Sequence, residues 1–234
     1  MKAKYPGNED ERQRALDSYQ ILDTESEEAY DDFTFLASQI CETPIALISL
    51  IDKERQWFKS KVGLNVDETS RDLAFCAHAI LKNEVLVVPD ATRDNRFADN
   101  LLVLEDPKIR FYAGAPLYTP DGFNLGTLCV IDRAPRQIDK KHVASLNALS
   151  RQIVAQLELK KALSTITTLS GLLPICSYCK QIRDNNDSWH GLESYITEHS
   201  DAEFSHSVCP SCHEEKVIPD LDALKKSMDE SSKE

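Results

Sequence analysis

Seven glycines in 234 residues leave little material for a nucleotide cradle. No Gly-rich phosphate loop occurs, no Gly-x-Ser-x-Gly elbow, and no paired-carboxylate spacing on a helix that acid–base chemistry would use. No apolar run approaches the roughly 20 residues that cross a bilayer, so a membrane is not an expected partner. The start, Met1-Lys2-Ala3-Lys4-Tyr5-Pro6-Gly7-Asn8-Glu9-Asp10, is charged with no apolar segment behind it and does not read as a secretory signal. Positive charge is scarce as well: 27 Lys and Arg stand against 39 Asp and Glu, for a net charge of −12. Such a balance repels phosphates, so nucleic acid is not an expected partner either. The expected compartment is the cytoplasm, where thiols stay reduced. An odd cysteine count, seven, fits that compartment better than a disulfide framework.

Four of those cysteines carry the sharpest chemical signal. Cys176-Ser-Tyr-Cys179 and Cys209-Pro-Ser-Cys212 are two Cys-x-x-Cys pairs. Each such turn converges two sulfurs on one ion, and two turns complete the four-coordinate shell that Zn²⁺ prefers. A structural zinc site is therefore expected, with His206 as an alternative ligand in a Cys₃His set; His190, His199 and His213 lie nearby. A redox-switched dithiol pair and an iron–sulfur or haem site are the other readings; for haem the signal is Cys209-Pro210, which resembles short haem-binding motifs. The segment from Pro174 to Glu234 carries 6 Lys and Arg against 13 Asp and Glu, which sets it apart from zinc ribbons that touch nucleic acid.

Upstream, periodicity outlines a longer body. A helix is expected over Glu9–Leu22 and a second from Tyr30 to Cys41, with Asp23–Ser26 supplying caps and Pro44 ending it. Ile45–Ile51 is a continuous apolar strand, and Gln56–Ser60 is its hairpin partner. Arg71–Leu81 reads as a helix and Val85–Val88 as a strand. A turn of helix is expected near Asn100–Leu104, then strands over Arg110–Tyr118 and Gly126–Ile131. From Asp139 the chain is helical for some thirty residues. Val143, Leu146, Leu149, Ile153 and Leu157 form one stripe; Leu159, Leu163, Ile166, Ser170 and Leu173 step at heptad spacing and point to a linker helix that pairs two copies. This order gives hairpins rather than βαβ crossovers, so the class is α+β with an antiparallel sheet.

Several blocks, taken together, resemble the bacterial GAF domains of sensor kinases and diguanylate cyclases. They are Ile21–Thr24, Pro44–Asp52, Arg55–Ser60, Phe75-Cys76-Ala77-His78-Ala79-Ile80, Asp90–Phe97, Phe111–Leu117 and Leu125–Asp132. The resemblance covers about residues 10–160 and implies a central antiparallel sheet of about six strands flanked by helices, with a pocket on one face and a helical dimer layer on the other. Leu172–Arg183 and Ser205–Cys212 resemble a short cysteine module appended to bacterial sensory domains. The expected organisation is a GAF domain at 9–160, a linker helix at 161–174, a small zinc-ribbon-like module at 175–219 and a charged tail at 220–234.

Within the GAF resemblance the candidate pocket residues are Trp57, Phe75, Cys76, His78, Asp90, Arg93, Phe111 and Tyr112. Each has a plainer reading: the aromatics and Cys76 as core, His78 bonded to nearby backbone, and Asp90 with Arg93 pinning a loop. Covalent chromophore attachment at Cys76 is disfavoured, because Cys76 and His78 lie two apart on a helix and point in different directions. Another GAF branch reduces free methionine sulfoxide with pocket cysteines. Cys41, Cys76 and Cys129 could in principle pair, but Cys41 closes a helix and Cys129 lies within an apolar strand, where cysteines are ordinarily inert. No reductase motif is apparent, so a GAF-type methionine sulfoxide reductase is not expected. The function expected is a non-enzymatic regulatory homodimer. Its GAF domain binds a small ligand or partner and relays through the linker helix to the zinc module and an unidentified signalling protein in trans. The alternative is a thiol redox or metal sensor in which the four C-terminal cysteines are the switch and the GAF domain only a dimerising platform.

Overall fold

The computed structural model describes residues 2–169, 173–184, 187–200, 202, 204–221 and 223, with backbone alone at 165–169. Part of the expected heptad seam, the Ile166 side chain and Ser170, lies outside the described residues, as does most of the expected tail. The chain divides into two compact units, Met1–Ser164 and Thr165–Glu234.

In the first unit, strands β1 (Ile45–Ile51), β2 (Arg55–Val62), β3 (Glu68–Ser70), β4 (Leu86–Val88), β5 (Phe111–Tyr118) and β6 (Asn124–Asp132) form one antiparallel sheet in the order β3-β2-β1-β6-β5-β4. The continuous apolar run of β1 has a physical reason: the sheet is buried on both faces. Ala46, Ile48 and Leu50 enter one core, while Ile45, Leu47 and Ile51 enter the other. Strand β6 runs so close to β1 that a Cβ on Gly126 would sit 1.9 Å from the carbonyl oxygen of Ser49. Only glycine allows that approach.

The first face is covered by α1 (Glu9–Ser18), α2 (Glu28–Cys41) and α5 (Lys140–Leu169). From α5, Leu146, Ile153 and Leu157 are buried in that core. The side chain of Asp139 starts α5 by accepting the backbone N–H groups of Lys141 and His142 at 2.8 and 2.9 Å. Two expected boundaries differ. Helix α1 ends at Ser18 rather than Leu22, with Gln20 at φ 47° and Asp23 at φ 59° turning the chain. Before α2, Glu27 occupies the capping position without a side-chain cap; it meets Lys59 of β2 and Lys160 of α5 instead, at 2.6 and 2.5 Å.

The second face carries α3 (Phe75–Ala79), α4 (Leu101–Leu104) and the loops around them. The single helix expected over Arg71–Leu81 is broken. A 3₁₀ turn at Arg71–Leu73 is followed by extended Ala74, ψ 122°, before α3 begins. Asn100 holds the break by donating to the Leu73 carbonyl at 3.0 Å while its own side-chain oxygen caps α4.

In the second unit, β7 (Ile182–Arg183) and β8 (Trp189–His190) make a small hairpin followed by α6 (Leu192–His199). Among the described residues Ile182 and Tyr195 are buried, whereas the apolar residues Ile175, Tyr178, Trp189, Leu192, Phe204 and Val208 are exposed. Pro210–Cys212 opens a helical stretch that continues through His213–Val217.

Candidate functional site

The second face of the sheet holds a cavity of about 330 Å³. Its wall is built from alternate strand positions: Ile45 and Leu47 of β1, Gln56 and Phe58 of β2, Tyr112 of β5 and Ile131 of β6. Phe75 and Cys76 of α3 close the side, and Gly63–Val66, Thr69, Leu102, Asp106, Pro107, Ile109 and Arg133 complete the lining. Phe75 stacks on Phe97 with ring centroids 3.9 Å apart and leans on Tyr112 at 5.3 Å, which fixes the aromatic wall. Gln56 is 5% exposed, and its side-chain oxygen has no hydrogen-bond partner among the described residues. Its nitrogen reaches Thr69 Oγ1 only at 3.4 Å. A buried acceptor left without a donor costs free energy unless something bonds it.

Of the residues singled out from the sequence, Phe75, Cys76 and Tyr112 line this cavity together. Trp57 and Phe111 lie in the opposite core, because neighbours in a strand face opposite sides. His78 packs edge-on against Phe97 at 4.8 Å. Asp90 caps a 3₁₀ turn by accepting from Thr92, and exposed Arg93 pairs with it at 3.4 Å. Neither His78, Asp90 nor Arg93 lines the cavity. Gln56, Phe58, Asp106 and Arg133 are not among the sequence candidates, although the period-two pattern of β2 around Trp57 carries a signal for the first two.

Behind the wall lies a pair of thiols. Cys76 Sγ and Cys129 Sγ are 3.7 Å apart, and the Tyr112 hydroxyl donates to Cys76 at 3.3 Å. Burial pushes the Cys76 thiol up, but its hydrogen bonds with Cys129, Ser49, Thr127 and Tyr112 together outweigh burial and leave Cys76 below the ordinary value. The hydrogen bond to Cys76 and burial hold Cys129 well above it. Cys41, in the other core, is pushed up to about 11 by burial.

The C-terminal cysteines form two separate pairs. Backbone N–H groups of Cys179 and Tyr178 lower Cys176, and the Ser211 hydroxyl followed by the Cys212 N–H brings Cys209 to about 7. Thiolate-favouring surroundings of this kind suit a zinc donor set. Among the described residues, though, no group of three or more His, Cys, Asp or Glu is gathered closely enough to hold a metal ion. His206 faces Glu193 at 3.6 Å. No helix among the described residues is long and apolar enough to cross a membrane.

Comparison with known proteins gives this arrangement its context. The GAF domain family profile matches residues 25–157. A curated Pseudomonas aeruginosa protein named cyclic di-GMP phosphodiesterase is 43% identical over 169 residues, which is 72% of this chain and 29% of that protein. The chain thus spans under a third of the relative's length. Among solved structures, the GAF domain of a phosphoenolpyruvate-protein phosphotransferase from Coxiella burnetii superposes with a TM-score of 0.50 at 13% identity, covering 65% of this chain and 94% of that one. The corresponding Acinetobacter domain gives 0.48 at 18%, covering 65% and 94%. The expectation of a non-enzymatic protein is corrected here: the relative matched at 43% identity bears an enzyme's name. The absence of nucleotide-loop and acid–base motifs, on which that expectation leaned, tests for a few catalytic patterns and not for catalysis in general.

Proposed function

This chain belongs to the GAF domain family, and we propose that its cavity reads a small molecule whose presence governs hydrolysis of cyclic di-GMP. The hydrolysis is carried over from the name of the Pseudomonas aeruginosa relative. The reading of a ligand rests on one observation above others: the unpartnered oxygen of Gln56 inside a preformed, largely apolar cavity. The occupant is a compact, partly aromatic molecule with an N–H or O–H to give Gln56, since pockets of this size fix orientation through few polar groups. Cyclic di-GMP itself is a poor fit, because two purines and two phosphates would face a single lining cation, Arg133. Thermal-shift screening of small aromatic amides and heterocycles tests this. Binders should lose affinity by about tenfold when Gln56→Leu removes the acceptor, by the general cost of a lost buried hydrogen bond. Binders indifferent to that change would refute it.

The helix α5 is the natural reporter, since Leu146, Ile153 and Leu157 seat it on the other face of the same sheet. Phe35, Leu36 and Ile40 of α2 and Leu159 of α5 are exposed apolar residues and support a homodimer through this layer. Cys176, Cys179, Cys209 and Cys212 would hold the zinc ion, which would supply the second unit with stability that Ile182 and Tyr195, the two buried among its described residues, do not.

A further inference from the structure

We propose that Cys76 and Cys129 are a redox couple reached through the cavity, closing to a disulfide when a hydroperoxide enters it. The inference rests on the sulfur geometry and does not depend on the hydrolysis of cyclic di-GMP. These two residues are 53 positions apart in the chain, yet α3 and β6 bring their sulfurs to 3.7 Å. A disulfide bond is about 2.05 Å long, so the sulfurs need to approach by about 1.7 Å. Cys76 lines the cavity, which gives a small oxidant its route to an otherwise buried atom.

The surroundings divide the labour between the two thiols. The Tyr112 hydroxyl points its proton at Cys76 from 3.3 Å, and the Ser49 and Thr127 hydroxyls, 3.1 Å from each other, stand beside the pair. The Tyr112 donor favours a thiolate at Cys76, in line with the lowered direction of its acidity, and Cys129 is held above the ordinary thiol range. Cys41 sits in the other core, where burial raises its thiol.

The chemistry balances in two steps. The Cys76 thiolate attacks the terminal oxygen of the hydroperoxide; the O–O bond breaks, the leaving oxygen departs as alcohol or water after taking a proton, and Cys76 becomes a sulfenic acid. The Cys129 sulfur then attacks the Cys76 sulfur. The S–S bond forms, the S–O bond breaks, and hydroxide leaves as water with the proton of Cys129. Two thiols lose two electrons and the peroxide gains them.

The full chain treated with near-stoichiometric hydrogen peroxide, alkylated after denaturation and digested with trypsin, tests this directly. Cys76 lies in the tryptic peptide 72–82 and Cys129 in 111–133. The expected product is these two peptides joined, separable by dithiothreitol, with loss of Cys76 alkylation matching the loss at Cys129. In the Cys129→Ser chain, Cys76 should instead accumulate as sulfenic or sulfinic acid. Tyr112→Phe, which keeps the ring and removes only the hydroxyl, should slow the joining several-fold. Full alkylation of Cys76 and Cys129 while Cys176, Cys179, Cys209 or Cys212 are oxidised would overturn the proposal. So would Cys76 joined to any cysteine but Cys129, or an unchanged rate in Tyr112→Phe.

Discussion

Replacing Glu9 by Gln should loosen the scaffold that holds the cavity, and the size of the effect follows from its partners. The Glu9 carboxylate accepts from Arg12 at 2.7 and 2.9 Å, from Gln13 at 2.9 Å and from Arg71 at 2.6 Å. Arg12 and Arg71 are almost wholly buried, and they also bond the carbonyls of Ile51 and Asp52, at the end of β1. Glu9 therefore ties α1 to β1 and to the 3₁₀ turn that leads into α3 and Cys76. Burial alone would raise its carboxyl, but the bonds from Arg12, Arg71 and Gln13 outweigh burial and pull it from 4.5 down to about 2. A carboxyl so held is worth about 3 kcal/mol at neutral pH as an upper limit. Because Glu9 keeps 16% exposure and an amide retains some of the hydrogen bonds, Glu9→Gln should cost about 2–3 kcal/mol. At about 2–4 °C per kcal/mol for a chain of this size, Tm should fall by about 5–10 °C. The sign with pH is fixed too. The unfolded chain binds the extra proton, so this contribution is complete above pH 4.5 and is lost as pH falls toward 2. Melting curves between pH 2.5 and 7 should show a shallower acid slope in the variant. A Tm within 1 °C of the parent with the same slope would refute the reasoning.

Gly126→Ala should cost about 3 kcal/mol in a thermal melt, because the new Cβ would lie 1.9 Å from the Ser49 carbonyl and only strand separation relieves it. Lys59 has a fully buried side chain bonded to Glu27, Thr24 and the Glu25 carbonyl; Lys59→Ala should cost about 2–4 kcal/mol in urea unfolding, with Lys59→Met milder by refilling the volume. Elemental mass spectrometry of protein purified without added metal should find about one zinc per chain, and Cys176→Ser should abolish it; no metal would leave the two cysteine pairs as plain dithiols. Sedimentation at micromolar concentration should give a dimer that Phe35→Asp dissociates.

What the sequence reveals of this fold tracks how much of the physics is local. The strands β1, β5 and β6 are legible because both faces of the sheet are buried and their apolar runs are continuous. Strand β3, Glu68–Ser70, has no apolar pattern and exists by pairing with β2. The break at Ala74 depends on Asn100 reaching the Leu73 carbonyl across 27 residues, which no helical periodicity contains. At the site, Phe75, Cys76 and Tyr112 were legible as a group only through the GAF resemblance. Strict alternation would have separated Trp57 from Phe58 and Phe111 from Tyr112. The approach of Cys76 to Cys129 is a tertiary fact with no local signature, so the sequence leaves open which of the three upstream cysteines meet.

The most direct test of the central claim is the rate of cyclic di-GMP hydrolysis, followed as release of the linear dinucleotide, in extracts of host cells carrying this chain, its Val66→Trp variant or neither. Val66 lines the cavity and is 48% exposed, so a tryptophan there blocks the cavity without entering the core. The account predicts that hydrolysis responds to the chain and that Val66→Trp alters the response several-fold. Equal rates in all three extracts would contradict it.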